Sequence, residues 1–461
     1  MAQRVVVFLI TVLMAVCTGL FVRRGEQEAS SGGKLWPGPA ELGAQDRLVR
    51  LRPRPAPRPD IVIVAADDKS VAKFGKLPWN RATWSSGLAR VQAGSPKVSI
   101  FDIALDKRTT READRRLYER LSAQGRRIVL GLGYDASRPA TFTPGDVRAL
   151  RFLERHALTN NVTLRGASAV QPFAWPLFEP PVSDFTQQAR GVGVFVRETD
   201  QDAVIRHARL LYLSQVKTPA TTPPLSSASG VPPSPLDGFT VALPGLALAG
   251  ARQALGVDKT SVSARNDAVT IGGGFGRPFV VPVDGSSRMV INYAGPAGTY
   301  PVYSLADVAS GTVPATTFKD KVVLFGATAA GAEETDRRLT PYGGMPRVEI
   351  TANAIGSILG RAPLVRSRGG DVLAALVAVG VVAGLLLAQS RPARVFLTGL
   401  GLTLLYFVVA WALLTYARLL APLLPALFVL AASTLIATAV ALVQQARSRR
   451  FGESLISGDP V

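Results

Sequence analysis

Cysteine and histidine are almost missing from this chain. Cys17 is the single cysteine, so no disulfide can close within the chain, and a histidine–cysteine metal centre is excluded by count. His156 and His207 are the two histidines; with no G-x-S-x-G elbow beside them, a hydrolytic triad has no support. Charge is missing from residues 5–22, 372–388, 395–416 and 419–443. Apolar runs of this length match the ~30 Å hydrocarbon core of a bilayer, so each is a candidate transmembrane helix. Their uncharged centres argue against a transporter or proton relay. Acidic residues are also scarce, 33 against 52 basic ones, for a net charge of +19. Such a charge suits nucleic acid, but a body bracketed by membrane spans argues against that partner. Arg47, Arg50, Arg52, Arg54 and Arg58 lie in a proline-rich stretch. That stretch reads as solvated chain beside anionic lipid or wall polymer, although an arginine bias of 42 to 10 over lysine also fits codon usage.

Positive residues in short loops mark the cytoplasmic side. Arg391 and Arg394 lie in one break between spans, Arg447, Arg449 and Arg450 follow the last, and Arg418 alone occupies the remaining turn. The first break and the tail are therefore placed inside, with Trp411 and Tyr416 at the outer interface. The expected organisation is an anchor helix at residues 4–22 and a basic proline-rich linker at 23–59. An extracytoplasmic domain at 60–365 follows, then three transmembrane helices at 371–443 and a short cytoplasmic tail at 444–461. The location is the inner (plasma) membrane. Arg23 and Arg24, after the first span, run against this orientation. A cleaved signal peptide is the alternative there, but the run is long for one and lacks a small-x-small cleavage site.

The body alternates strand and helix. Residues 60–66, 97–103, 127–132 and 321–327 are short apolar runs suited to strands buried on both faces. Residues 81–93, 111–123, 243–255, 304–310 and 348–359 have helical character. Such alternation implies βαβ units, hence an α/β domain with a mainly parallel sheet. Residues 191–196 with 203–213, and 279–283 with 289–293, read as antiparallel hairpins. Residues 218–237 are Pro, Ser and Thr with few large apolar residues, the composition of a disordered insert.

Several motifs together resemble one family. IVIVAADDKSVAKFG (61–75), LPWNR (77–81) and KVSIFDI (97–103) resemble the opening of the CHASE type 2 domain, an extracellular sensory module. PVDGSSRMVINYAGPAGTYPVYSLADVASG (282–311), KDKVVLFGATAAG (319–331) and PYGGMPRVEITANAI (341–355) resemble its closing half. The resemblance covers residues 47–443, including the arrangement of one N-terminal anchor and three C-terminal helices. It implies ligand sensing outside the membrane. Relatives normally continue into a kinase, cyclase or similar output domain, whereas this sequence stops at Val461. That leads to the expectation of a separate cytoplasmic signalling partner. Thr351 stands where the family pattern leads one to expect histidine, so a ligand contacted by that imidazole elsewhere would differ here.

Candidate binding residues follow from strand ends. In open parallel sheets the carboxyl ends of strands border the ligand crevice. Asp67 and Asp68 end the first strand, Asp102 and Asp106 the second, and Arg81 is a nearby counter-charge. Glu349 and Asn353, one helical turn apart, could join them. The competing reading is structural: Asp67 or Asp68 caps the turn at 70–74, Asp102 pairs with an arginine, and Glu349 and Asn353 cap or pack. A single cluster of Asp67, Asp68, Asp102 and Glu349 is the expectation to test, with metal binding left open. The glycines at 272–274 and 276 lack the Gly-Lys-Ser/Thr ending of a phosphate loop and read as a turn. The strand-to-loop segment 326–328 reads as a tight turn or a phosphate cradle. Gly380 and Gly384 permit close helix approach, within one chain or across a homodimer.

The resulting expectation is a non-enzymatic membrane sensor without a cofactor, in contact with membrane lipids, with an unidentified extracytoplasmic ligand. An envelope assembly factor that uses the linker and insert is the alternative. A carboxylate enzyme acting on a glycoside or phosphate ester is the third reading.

Overall fold

Successive side chains of a strand point to opposite faces, and the run IVIVAA uses both. Ile61, Ile63 and Ala65 join one buried apolar cluster, while Val62, Val64 and Ala66 join another. In the computed structural model, the described residues are 2–30, 38–124, 128–134, 158, 178–179, 181–215, 240–258, 261–265, 267–272, 278–330, 336–389 and 391–457. The insert at 218–237 and the glycines at 273, 274 and 276 lie outside them. The chain divides into two units, residues 54–363 and residues 1–53 with 364–461.

In the larger unit, strands β1 (Ile61–Ala66), β2 (Val98–Phe101), β3 (Ile128–Tyr134), β4 (Phe178–Glu179) and β5 (Gly191–Val194) belong to the main sheet. They are followed by β6 (His207–Arg209), β7 (Leu211–Gln215), β8 (Thr240–Pro244), β9 (Val262–Arg265), β10 (Ala268–Ile271), β11 (Phe279–Pro282) and β12 (Arg288–Val290). The last are β13 (Val302–Ser304), β14 (Val322–Ala327), β15 (Arg338–Thr340) and β16 (Gly343–Met345). The main sheet runs β13-β1-β14-β2-β3, with β5 parallel to β3 and β4 antiparallel to it. All other pairings in it are parallel. One face packs against the helices Leu246–Ala254 and Arg347–Leu359; Arg81–Ala93, Arg111–Gln124 and Leu305–Ser310 lie on the other. The expected α/β fold with a parallel core is present. Where Val348 crosses the sheet, Gly326 is required: a Cβ there would stand 2.4 Å from the Val348 Cβ.

Both expected hairpins are corrected. Strand β5 is buried along its whole length and inserts beside β3 instead of folding back on β6. Strand β6 pairs with β12, and β7 with β8. Strand β11 pairs with β10, matching Val281 to Val269 and Phe279 to Ile271. An aspartate turn, in which Asp284 accepts the Ser286 and Arg288 amides, redirects the chain before β12. Antiparallel pairing is thus retained with other partners: β11 and β7 pair with strands next to them in chain order, and β6 with the distant β12.

The smaller unit contains the four apolar helices, Ala2–Ser30, Gly369–Leu387, Pro392–Ala412 and Leu424–Ser457. Each is long and apolar enough to cross a membrane. A Cβ at Gly380 would stand 2.4 Å from the Ala15 Cβ, and one at Gly384 3.0 Å from the Phe8 ring. The small-residue face is therefore occupied by the first helix of the same chain. Within the stretch expected as a solvated linker, Pro39–Leu51 form a helix with Pro at its start, where proline's missing amide costs nothing. It buries Leu42, Leu48 and Val49, and Glu41 accepts the Leu423 and Leu424 amides, each at 2.7 Å. These are the unpaired N–H groups that open the last helix. That helix continues to Ser457, through most of the expected tail.

Candidate functional site

The carboxyl ends of β1, β2, β14 and β5 gather Asp67, Asp102, Thr328 and Phe195 at one edge of the sheet. Asp67 caps the short helix Asp68–Phe74: its Oδ1 accepts the Ser70 amide at 2.9 Å and the Ser70 and Ser304 hydroxyls at 2.6 and 2.8 Å. Asp68 is exposed and accepts the Ala330 amide at 2.8 Å. The Thr328 and Ala329 amides both donate to the Ala66 carbonyl. Gly326 and Ala327 therefore end β14 in the ladder with β1, and the Thr328 and Ala329 amides that follow are consumed rather than free to cradle a phosphate.

Asp102 lies at the centre of a buried ionic network. Its Oδ1 accepts Arg347 Nε at 2.7 Å, its Oδ2 accepts the Thr351 hydroxyl at 2.7 Å, and its carbonyl accepts Arg347 Nη2 at 3.0 Å. Arg347 Nη1 continues to Asp336 Oδ2 at 2.9 Å, and Asp336 also takes Arg197 at 3.0 Å and Arg338 at 2.6 Å. The Phe195 ring lies 4.1 Å from the Arg347 guanidinium, within cation–π range. Burial opposes ionisation of Asp336, but Arg347, Arg197 and Arg338 outweigh it and hold the carboxyl below its ordinary value. Burial likewise pulls Arg347 down, and Asp102 and Asp336 more than restore it. A guanidinium shared by two carboxylates orients the first turn of its helix.

Along that helix three side chains fasten one loop. Ser357 Oγ accepts the Asn292 amide at 3.0 Å, Asn353 Oδ1 the Ala294 amide at 2.9 Å, and Glu349 Oε2 the Gly298 amide at 2.6 Å. Burial raises the Glu349 carboxyl above its ordinary value, against the Gly298 bond and Arg337. Arg81 is buried beside Asp114 and Asp106, donates to the Lys107 carbonyl at 2.9 Å, and is held below its ordinary value by desolvation.

The structure thus gives the expected residues separate partners. Asp67 goes to Ser70 and Ser304, Asp102 to Arg347 and Thr351, Glu349 and Asn353 to the 294–298 loop, and Arg81 stands beside Asp106. Among the described residues, no group of three His, Cys, Asp or Glu side chains could hold a metal ion. Asp68 and half-buried Asp106 remain turned partly to solvent. The sequence reading missed Arg347, Asp336 and Arg197. The one available signal was Arg347 opening a helix directly after Pro346, since the other two have no local pattern.

Comparison with known protein families gives one match, to the CHASE2 domain, over residues 12–388. No curated protein and no solved structure matches.

Proposed function

This chain belongs to the CHASE2 domain family, a family of sensory domains, and on that premise we propose that it is a membrane sensor whose α/β unit recognises a ligand outside the cell. The carrying observation is the span of the match. It begins inside the first apolar helix and ends at the close of the second, so the sensory region and these two helices fall within one family unit. The arginines at 391, 394, 447, 449 and 450 support a cytoplasmic face for the breaks that hold them, which leaves residues 54–363 outside.

Recognition is assigned to the carboxyl edge of the sheet, where Asp68 and Asp106 offer acceptors and the Asp102–Arg347 network fixes the helix behind them. Transmission is a population shift: a ligand that binds one arrangement better than another biases it by its differential affinity and by nothing else. The chain enters the sensory unit after Pro53 and leaves it at Leu364. Both crossings lead into the smaller unit, where Glu41 holds the start of the last helix. A separate cytoplasmic signalling protein would receive the change.

The test is hydrogen exchange on the full-length protein in lipid nanodiscs, with and without fractionated extracellular metabolites. The reading predicts a fraction that alters protection within residues 423–457 in the wild type and not in an Asp68→Ala, Asp106→Ala double variant. Ligand-induced protection confined to residues 54–363 would contradict transmission.

A further inference from the structure

At the opposite, amino edge of the sheet lies a cavity of about 550 Å³, a volume suited to a small metabolite. Lys97 stands just before β2, Arg190 just before β5 and Asp320 two residues before β14, while Arg252, Gln253 and Asp258 come from the end of the Leu246–Ala254 helix and the turn after it. This is a different place from the edge described above, and nothing in that reading uses it.

Its charge is unbalanced. Several arginines elsewhere in this unit meet carboxylates closely: Arg58–Asp60 at 2.8 Å, Arg206–Asp202 at 2.7 Å, Arg209–Glu198 at 2.8 Å and Arg288–Asp284 at 2.8 Å. Among the described residues, Lys97, Arg190 and Arg252 have no such partner. Arg252 is the sharpest case. Only 6% exposed, it spends Nη1 on the Val257 carbonyl at 3.1 Å, and its Nε has no hydrogen-bond partner. A buried charge is costly without a counter-charge and full hydrogen bonding. Desolvation pulls the Arg252 guanidinium below its ordinary value; Asp258 offsets part of this, and Arg190 adds repulsion. An oxyanion would supply the missing charge, and the guanidinium fork matches the planar oxygen pairs of carboxylate and phosphate.

We propose that this cavity binds a small anion through a carboxylate or phosphate group, held by Arg252 and Arg190 with Lys97 as the outer contact. Titration calorimetry on the full-length protein in nanodiscs, at constant ionic strength, tests it with two probes. Glycerol phosphate represents the phosphate arm and lactate the carboxylate arm. Fixed ionic strength removes non-specific attraction to a basic chain. The expected result is saturable binding of at least one probe with Kd below ~1 mM. Arg190→Gln and Lys97→Gln, both at exposed positions, each weaken it roughly tenfold by loss of a charge-assisted contact. Arg252→Lys retains charge but loses the fork, and weakens binding at least as much. Failure of both probes to bind, or unchanged affinity in the Arg190→Gln, Lys97→Gln double variant, overturns the proposal. The Asp68→Ala, Asp106→Ala variant should bind the probe as the wild type does, which keeps this site separate from the carboxyl edge.

Discussion

Thr351 donates its hydroxyl to Asp102 at 2.7 Å, on the second oxygen of the carboxylate whose first oxygen takes Arg347 at the same distance. Asp102 is fully enclosed, its side chain 0% exposed. Removing it leaves Arg347 buried with Asp336 alone. Asp102→Ala should destabilise by about 3–5 kcal/mol, the cost of an uncompensated buried charge. Thr351→Val removes one hydroxyl and should cost about 1–3 kcal/mol. Thermal melting of the two variants in detergent checks that order; equal, small losses would show that the network is not structural.

Glu349 gives the opposite pH response to Asp336. Burial raises the folded pKa of Glu349 above its ordinary 4.5. Its contribution is therefore fully present below that value and is lost as pH rises through the folded pKa. For Asp336 the folded value is depressed, so its contribution is present at neutral pH and lost on strong acidification. Glu349→Gln keeps an acceptor for the Gly298 amide but cannot ionise. Its stability should gain on the wild type as pH rises from 4.5 towards neutrality, and superimposable pH curves would refute the assignment.

Gly380 should tolerate no side chain. A Cβ there meets Ala15 at 2.4 Å, so Gly380→Leu forces the first helix away, at about 1–3 kcal/mol for overpacking. Leu385 on the same helix is 65% exposed, and Leu385→Ala should leave the melting point unchanged. A comparable loss in both variants would remove the packing explanation.

Glu41 should govern fraying of the last helix. Its carboxylate holds two opening amides, and losing such a cap costs about 1–2 kcal/mol. Glu41→Ala should speed amide exchange at Leu423 and Leu424 while leaving residues 54–363 unaffected.

Much of this was legible in the sequence, and what was hidden follows a rule. Elements written in local period came through: IVIVAA and KVVLFGA as strands buried on both faces, and the helix after Pro346. Asp67 as a cap was readable because the amide it holds is three residues on. The spacing of Glu349 and Asn353 put them on one face, though not against residues 294–298. Strand β5 was misassigned because GVGV reads alike as an edge or an interior strand, and its partner lies about 60 residues earlier. Asp102 and Arg347 are 245 residues apart, and no local pattern announces such a pair. Lys97, Arg190 and Arg252 are scattered in the same way, and only the turns at the amino edge bring them to one cavity. Pro39–Leu51 read as linker because its two arginines and the prolines on either side masked the leucine spacing.

The central claim is sidedness, and cysteine labelling in intact cells addresses it directly. With Cys17→Ala as background, Asp68→Cys and Ser448→Cys are made separately and treated with a membrane-impermeant maleimide. The account predicts that Asp68→Cys is labelled in intact cells and Ser448→Cys only after permeabilisation. The reverse pattern would contradict it.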